Sequence, residues 1–145
     1  MIFGPNGPTF WEQAEQALSS TRHGYDLLAP KFEHTPYRTP DVLLVELPKI
    51  IGRCEAALDA CCGTGAGVRL LRPLTNKRVV GIDFSQGMLT EAEKLLTDSE
   101  GTAELEFVHG DVLDMEFDGE FDVATCFGAL GHITPVSYTH LRAHE

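Results

Sequence analysis

The stretch "LDACCGTGAG", Leu58 to Gly67, limits the possible folds more than any other part of this chain. A short apolar run leads straight into glycines at 63, 65 and 67, and "AGVRLLRPL" then reads as a helix. Apolar residues without alternation make a strand buried on both faces. A glycine turn between such a strand and a helix lets the backbone approach a ligand and aims helix N–H groups at it. The spacing is G-x-G-x-G. A dinucleotide fingerprint needs G-x-G-x-x-G, and Val68 stands where its third glycine belongs. Asp59 lies on the strand, four residues ahead of Gly63. A carboxylate there repels a pyrophosphate seated on the helix N-terminus and suits a ligand carrying an ammonium group. Aspartate is equally at home capping a turn through backbone bonds, and the residues alone leave the two readings even.

The alternation continues downstream. "KRVVGID" is a second buried strand, and Ser85 caps a helix over "SQGMLTEAEKLLTDS" with Met88, Leu89, Ala92, Leu95 and Leu96 inward. "AELEFVHGD" is a third strand, and "FDGEFDVATCFGAL" gives a turn at Asp118-Gly119 and a fourth. Strands alternating with helices predict β-α-β units: an α/β, doubly wound, mostly parallel sheet with helices on both faces. Upstream, residues 1–52 read as a helical segment. Thr9 and Glu12 form a capping box for a helix that runs to about Leu28, weak at Gly24, with Phe10, Ala14, Ala17 and Leu18 on its apolar face. A Pro-punctuated loop follows. Thr39 then caps a second helix with Pro40 at its first position, Pro48 interrupts it, and Gly52 stops it. Its buried stripe is Leu43, Leu44, Leu47, Ile50 and Ile51.

Two further acids fall at strand tips. Asp83 ends the second strand, where a carboxylate can accept both hydroxyls of a ribose; Ser85 is the better cap for the helix that follows. Gly110-Asp111 ends the third strand on the same carboxyl edge, where an aspartate can accept a hydrogen bond from an adenine amino group. Asp114 reads as a solvated loop residue. These positions indicate an adenosine-type ligand without fixing which one.

The formal net charge of −11, with scattered basic residues, argues against a nucleic-acid partner and for a small molecule or a protein. No apolar run is long enough to span a membrane, and "MIFGPNGPTFWEQ" lacks the basic and apolar regions of a secretory signal, so the expected compartment is cytoplasmic. Cys54, Cys61, Cys62 and Cys126 contain no C-x-x-C pair. They read as small buried thiols rather than metal ligands, and no metal is expected.

With these motifs in order, the chain resembles the class I, Rossmann-like S-adenosylmethionine-dependent methyltransferases of small-molecule type. The resemblance is carried by "LDACCGTGAG", "VVGIDFS", "FVHGDVLDM" and "FDVATCFGALGHI", and by "GYDLLAPKFEHTPYRTPD" ahead of the core. It covers roughly residues 9 to 135 and implies the cofactor S-adenosyl-L-methionine and a small-molecule methyl acceptor. It also implies that Asp59 and the backbone of Gly63 and Gly65 hold the methionine end, that Asp83 binds the ribose, and that Asp111 with the Val112 backbone holds the adenine. Phe84 and Met88 would pack near the adenosine, Cys126 and Phe127 would lie near the sulfonium, and Tyr25 would close over the ligand; for Phe84, Met88 and Tyr25 ordinary packing fits as well. No residue is assigned as catalytic, and His132 is a weak candidate base. The family sheet has seven strands in the order 3-2-1-4-5-7-6, of which residues 53–135 supply strands 1–4. The last residues, "VSYTHLRAHE" at 136–145, resemble one translation of a transposase-end adapter used in sequencing libraries. They are expected to be non-native, and the fragment is expected to be inactive by itself. A non-catalytic Rossmann-like protein that binds adenosine ligands is the alternative. An NAD-dependent oxidoreductase is disfavoured by Val68 and by Gly110-Asp111.

Overall fold

The computed structural model describes residues 3–129 and 131. At its centre are four strands, β1 Cys54–Ala60, β2 Thr75–Asp83, β3 Glu104–His109 and β4 Val123–Thr125, in the spatial order β3-β2-β1-β4. Every pairing is parallel. This is the order expected for strands 1–4. β1 is buried at every position but Glu55, which is why its sequence shows no alternation. The chain leaves β1 for β2 and β3 on one side and returns to β4 on the other. Such a reversal opens a crevice at the carboxyl ends of the strands. The register brings the functional edge together, with Asp59 opposite Gly81 and Thr125, and Asp83 opposite His109.

One sheet face is covered by α5 Ala66–Leu71 and α6 Gln86–Leu96, which bury Val68, Leu71, Leu89 and Ala92 against Ala57 and Val79. Leu44, Leu47 and Ile51, from α3 Asp41–Glu46, α4 Pro48–Ile51 and the residue between them, pack at its margin. Each fully buried leucine contributes about 2 kcal/mol relative to exposure. On the other face Leu58, Ala60, Val80, Ile82 and Val112 meet Met115, Phe117 and Phe121 from the segment between β3 and β4. Ser85 caps α6 by accepting from the Met88 N–H at 3.1 Å.

The N-terminal segment departs from the sequence reading in several places. The helix breaks at Ser19–Ser20, not at Gly24, giving α1 Phe10–Leu18 and α2 Thr21–Leu28, with Ser20 capping α2. Gly24 lies inside α2, where a Cβ would come 3.1 Å from Gln16 Cγ and 3.2 Å from its carbonyl oxygen. The glycine serves the close crossing of α1 and α2. The Thr9–Glu12 capping box is present, but the apolar face it begins is not buried: Phe10, Trp11 and Leu18 are exposed. The loop Ala29–His34 forms a 3-10 turn. Pro40, not Thr39, takes the cap position of α3: its ψ of 135° is extended, so the helix begins only at Asp41, and the cap makes no side-chain hydrogen bond. Asp41 then opens the helix, held by both guanidinium nitrogens of Arg38 at 2.7 Å. Pro48 does split the helix, and Gly52 ends it at φ +71°. Leu43, Ile50 and Leu95, all read as inward, are exposed. Among the described residues no helix is long and apolar enough to cross a membrane.

Candidate functional site

A cavity of about 600 Å³ opens at the carboxyl edge of β1 and β2 and under the N-terminal segment. Asp59, Gly63, Asp83, Phe84, Met88, Asp111 and Val112 all line it. Tyr25 and Phe127 line it too, so nine of the eleven residues that the resemblance places at the cofactor meet in one place. Gly65 and Cys126 do not line it.

Asp83 is 6% exposed, and both of its oxygens are held from the protein side. Oδ2 accepts from the Gly63 N–H at 2.8 Å and Oδ1 from the Ser85 N–H at 2.9 Å. These two bonds fix the plane of the carboxylate at the cavity wall. Burial raises its pKa, and the backbone donors of Ser85, Gly63 and Phe84 oppose that rise. A carboxylate so oriented is a preorganised acceptor for a pair of vicinal hydroxyls.

Asp59 lies deeper, 2% exposed. Its Oδ2 accepts from the Val68 N–H at 3.1 Å and its Oδ1 from the Thr125 hydroxyl at 2.7 Å. It therefore caps α5 and also lines the cavity. Burial pushes its pKa up to about 7 against those hydrogen bonds. The third glycine of the turn exists because of it: a Cβ on Gly67 would sit 2.4 Å from both Asp59 oxygens.

Gly63 and Gly65 both have positive φ. Gly63 faces open space, whereas a Cβ on Gly65 would lie 2.6 Å from Leu96 Cδ1. Gly65 thus lets the turn settle onto α6. Cys61 also has positive φ, +56°, the one non-glycine residue in that region among those described. It faces the same apolar cluster as Cys126, whereas Cys62 packs into the opposite core. The neighbouring Cys126 thiol, with burial, pushes the pKa of Cys61 up, and Cys61 holds that of Cys126 down.

Asp111 starts a 3-10 turn, Val112–Asp114, by accepting from the Leu113 N–H at 3.0 Å. Asp114 is exposed. The roof comes from the N-terminal segment. Tyr25 meets Phe84 edge-on at 6.0 Å between ring centroids and Phe32 at 6.4 Å. Tyr37, Arg38 and Leu43 extend that wall, with Phe127 also on the cavity. Two acids absent from the sequence reading tie the roof down. Glu33 Oε1 accepts from the Thr64 hydroxyl at 2.6 Å, and Asp26 Oδ1 accepts from the Ser85 hydroxyl at 2.6 Å and the Gly87 N–H at 2.9 Å. An exposed-looking Asp or Glu in a helical sequence carries no local signal of such a distant partner. The described residues contain no group of three or more His, Cys, Asp or Glu able to hold a metal. His132 and the tail 136–145 lie outside them.

The methyltransferase-domain family matches residues 57–143, and the chain belongs to that family. Demethylmenaquinone methyltransferase of Bacillus licheniformis is 32% identical over 96 residues, covering 64% of this chain and 38% of its own length. A 2-phytyl-1,4-naphtoquinone methyltransferase of Nostoc is 33% identical over 94 residues, 63% of this chain and 41% of that protein. A SAM-dependent methyltransferase from Thiobacillus denitrificans, solved with S-adenosyl-L-homocysteine, superposes with a TM-score of 0.58 at 25% identity, over 74% of this chain and 45% of that one. The chain thus spans about two fifths of the curated relatives it matches.

Proposed function

We propose that this chain is the cofactor-binding half of an S-adenosylmethionine-dependent methyltransferase acting on a small-molecule acceptor. The observation that carries this reading is the Asp83 carboxylate, clamped by the Gly63 and Ser85 N–H groups with its face to the cavity. Such a group fits the vicinal hydroxyls of a ribose. Asp59, beneath the turn, fits the ammonium of the methionine end, which would favour its ionised form. Asp111 and Val112, just after the end of β3, fit the adenine, with Phe84 and Met88 lining the same cavity. When bound, S-adenosylmethionine supplies a methyl group on a sulfonium, which is already a good leaving group. This chain's residues bind and orient it, and the aromatic roof of Tyr25 and Phe32 limits the access of water to the cavity. The relatives named for demethylmenaquinone and 2-phytyl-1,4-naphtoquinone, with the apolar wall of Phe32, Tyr37 and Leu43, support a largely apolar, ring-bearing acceptor.

Within this reading residues 1–52 form the roof segment, 53–135 the N-terminal half of the core, and 136–145 adapter-derived sequence. The family match continues to residue 143, so long-read sequencing of the gene is the check on that last assignment. A dinucleotide fits poorly. The Val68 N–H is already spent on Asp59, and that carboxylate sits under the helix end where a pyrophosphate would need a positive potential. Titration calorimetry of the 145-residue chain distinguishes the two: S-adenosylhomocysteine binds and NAD does not. Equal or tighter binding of NAD would sink the proposal.

A further inference from the structure

We infer that Asp26 is a positioning residue, which sets the orientation of the Asp83 carboxylate from the roof of the cavity. The inference rests on the ribose-binding role proposed for Asp83. Asp26 follows Tyr25 in α2 and reaches the start of α6 with one oxygen, which takes both the Ser85 hydroxyl and the Gly87 N–H. The Ser85 oxygen already accepts from the Met88 N–H. Its own proton must therefore point elsewhere, and Asp26 is its acceptor. Ser85 is fully buried, so an unplaced hydroxyl proton there is costly. The Ser85 N–H is in turn one of the two donors that fix Asp83. The other, from Gly63, belongs to the glycine-rich turn. One continuous path of hydrogen bonds thus runs from the roof, through Ser85, to the acid on the cavity wall. The tether is short: a Cβ on Gly87 would lie 3.0 Å from Asp26 Cα, so a side chain there would push the two elements apart. Glu33 ties the same roof to Thr64 without touching Asp83 or Ser85, which makes it an internal control.

A purely structural Asp26 would weaken every ligand alike when removed. A positioning Asp26 would weaken selectively the ligands that use the ribose hydroxyls. The test measures the affinities of S-adenosylhomocysteine and its 2′-deoxyribose counterpart and compares their ratio across variants of the full chain. Wild type prefers the ribose form, and Asp83→Asn abolishes that preference. Asp26→Ala lowers the ratio about tenfold, by losing a hydrogen bond to a charged group, while Asp26→Asn, which keeps an acceptor oxygen, restores most of it. Glu33→Ala, which removes the acceptor for the Thr64 hydroxyl, weakens both ligands and leaves the ratio alone. Ser85→Ala cuts the same path from its other end and gives the same fall in ratio, so the question is decided even where Asp26→Ala does not fold. An unchanged ratio in Asp26→Ala or, failing that, in Ser85→Ala, alongside a collapsed ratio in Asp83→Asn, overturns the positioning role. A ratio unchanged in Asp83→Asn overturns the ribose role itself.

Discussion

At the residue scale, the burial of Asp59 has a consequence in solution. Its ordinary pKa is 3.8, and in the fold it is pushed up to about 7. Between these values the folded chain holds a proton that the unfolded chain has released, so stability falls as pH rises from about 4 to about 7 and levels off beyond. Asp83 is raised too and adds in the same direction. Exposed carboxylates held low, such as Glu12 at about 2, act below that window and do not mask it. The ligand-free protein should therefore melt at a higher temperature at pH 5 than at pH 8, and Asp59→Asn should flatten most of the difference. A melting temperature that rises over this range, or the same slope in Asp59→Asn, would count against the burial argument. Sequence located this acid but not its balance of roles, since that depends on Thr125 in β4 and Val68 in α5, residues its own neighbourhood does not reveal. The glycine at 67 was legible as a turn residue. Its reason, the carboxylate packed against its Cα, was not.

At the scale of elements, the apolar pattern found β1, β2 and α6 because each is buried along a continuous face, and β3 by its alternation of exposed and half-buried positions. It did worse where an element has little to pack on. α1 carries a good capping box and an apolar stripe, yet Phe10, Trp11 and Leu18 are exposed. Apolar spacing shows that a helix has a face, not that the described residues cover it. The break at Ser19–Ser20 was missed because Gly24 is the stronger helix breaker by propensity; the close approach of Gln16 holds it in the helix instead. In α6 the apolar positions divide sharply, Leu96 being 3% exposed and Leu95 54%. Leu96→Ala should cost about 2–4 kcal/mol of unfolding free energy, and Leu95→Lys should stay within about 0.5 kcal/mol of wild type. Urea unfolding of both variants checks the pair, and similar losses would mean that α6 is rotated from its described face.

At the scale of the whole molecule, the order β3-β2-β1-β4 makes the site. The reversal between β1 and β4 leaves strand ends, not side chains from one element, to line the cavity, so acids far apart in sequence meet at one edge. This is why motif order was so informative: the tips of β1, β2 and β3 each contribute one acid, Asp59, Asp83 and Asp111, and the parallel register aligns them. The roof had no such rule behind it. Its aromatic residues were partly visible as a segment ahead of the core, but its anchors Asp26 and Glu33 depend on how that segment folds back. The central claim, that the Asp83 edge is a nucleoside site, is tested most directly by backbone amide NMR of the chain during titration with S-adenosylhomocysteine. The account predicts saturable shifts largest at the Gly63 and Ser85 amides, which hold Asp83, and their loss in Asp83→Asn. Saturable shifts centred elsewhere, with those two amides unmoved, would contradict it.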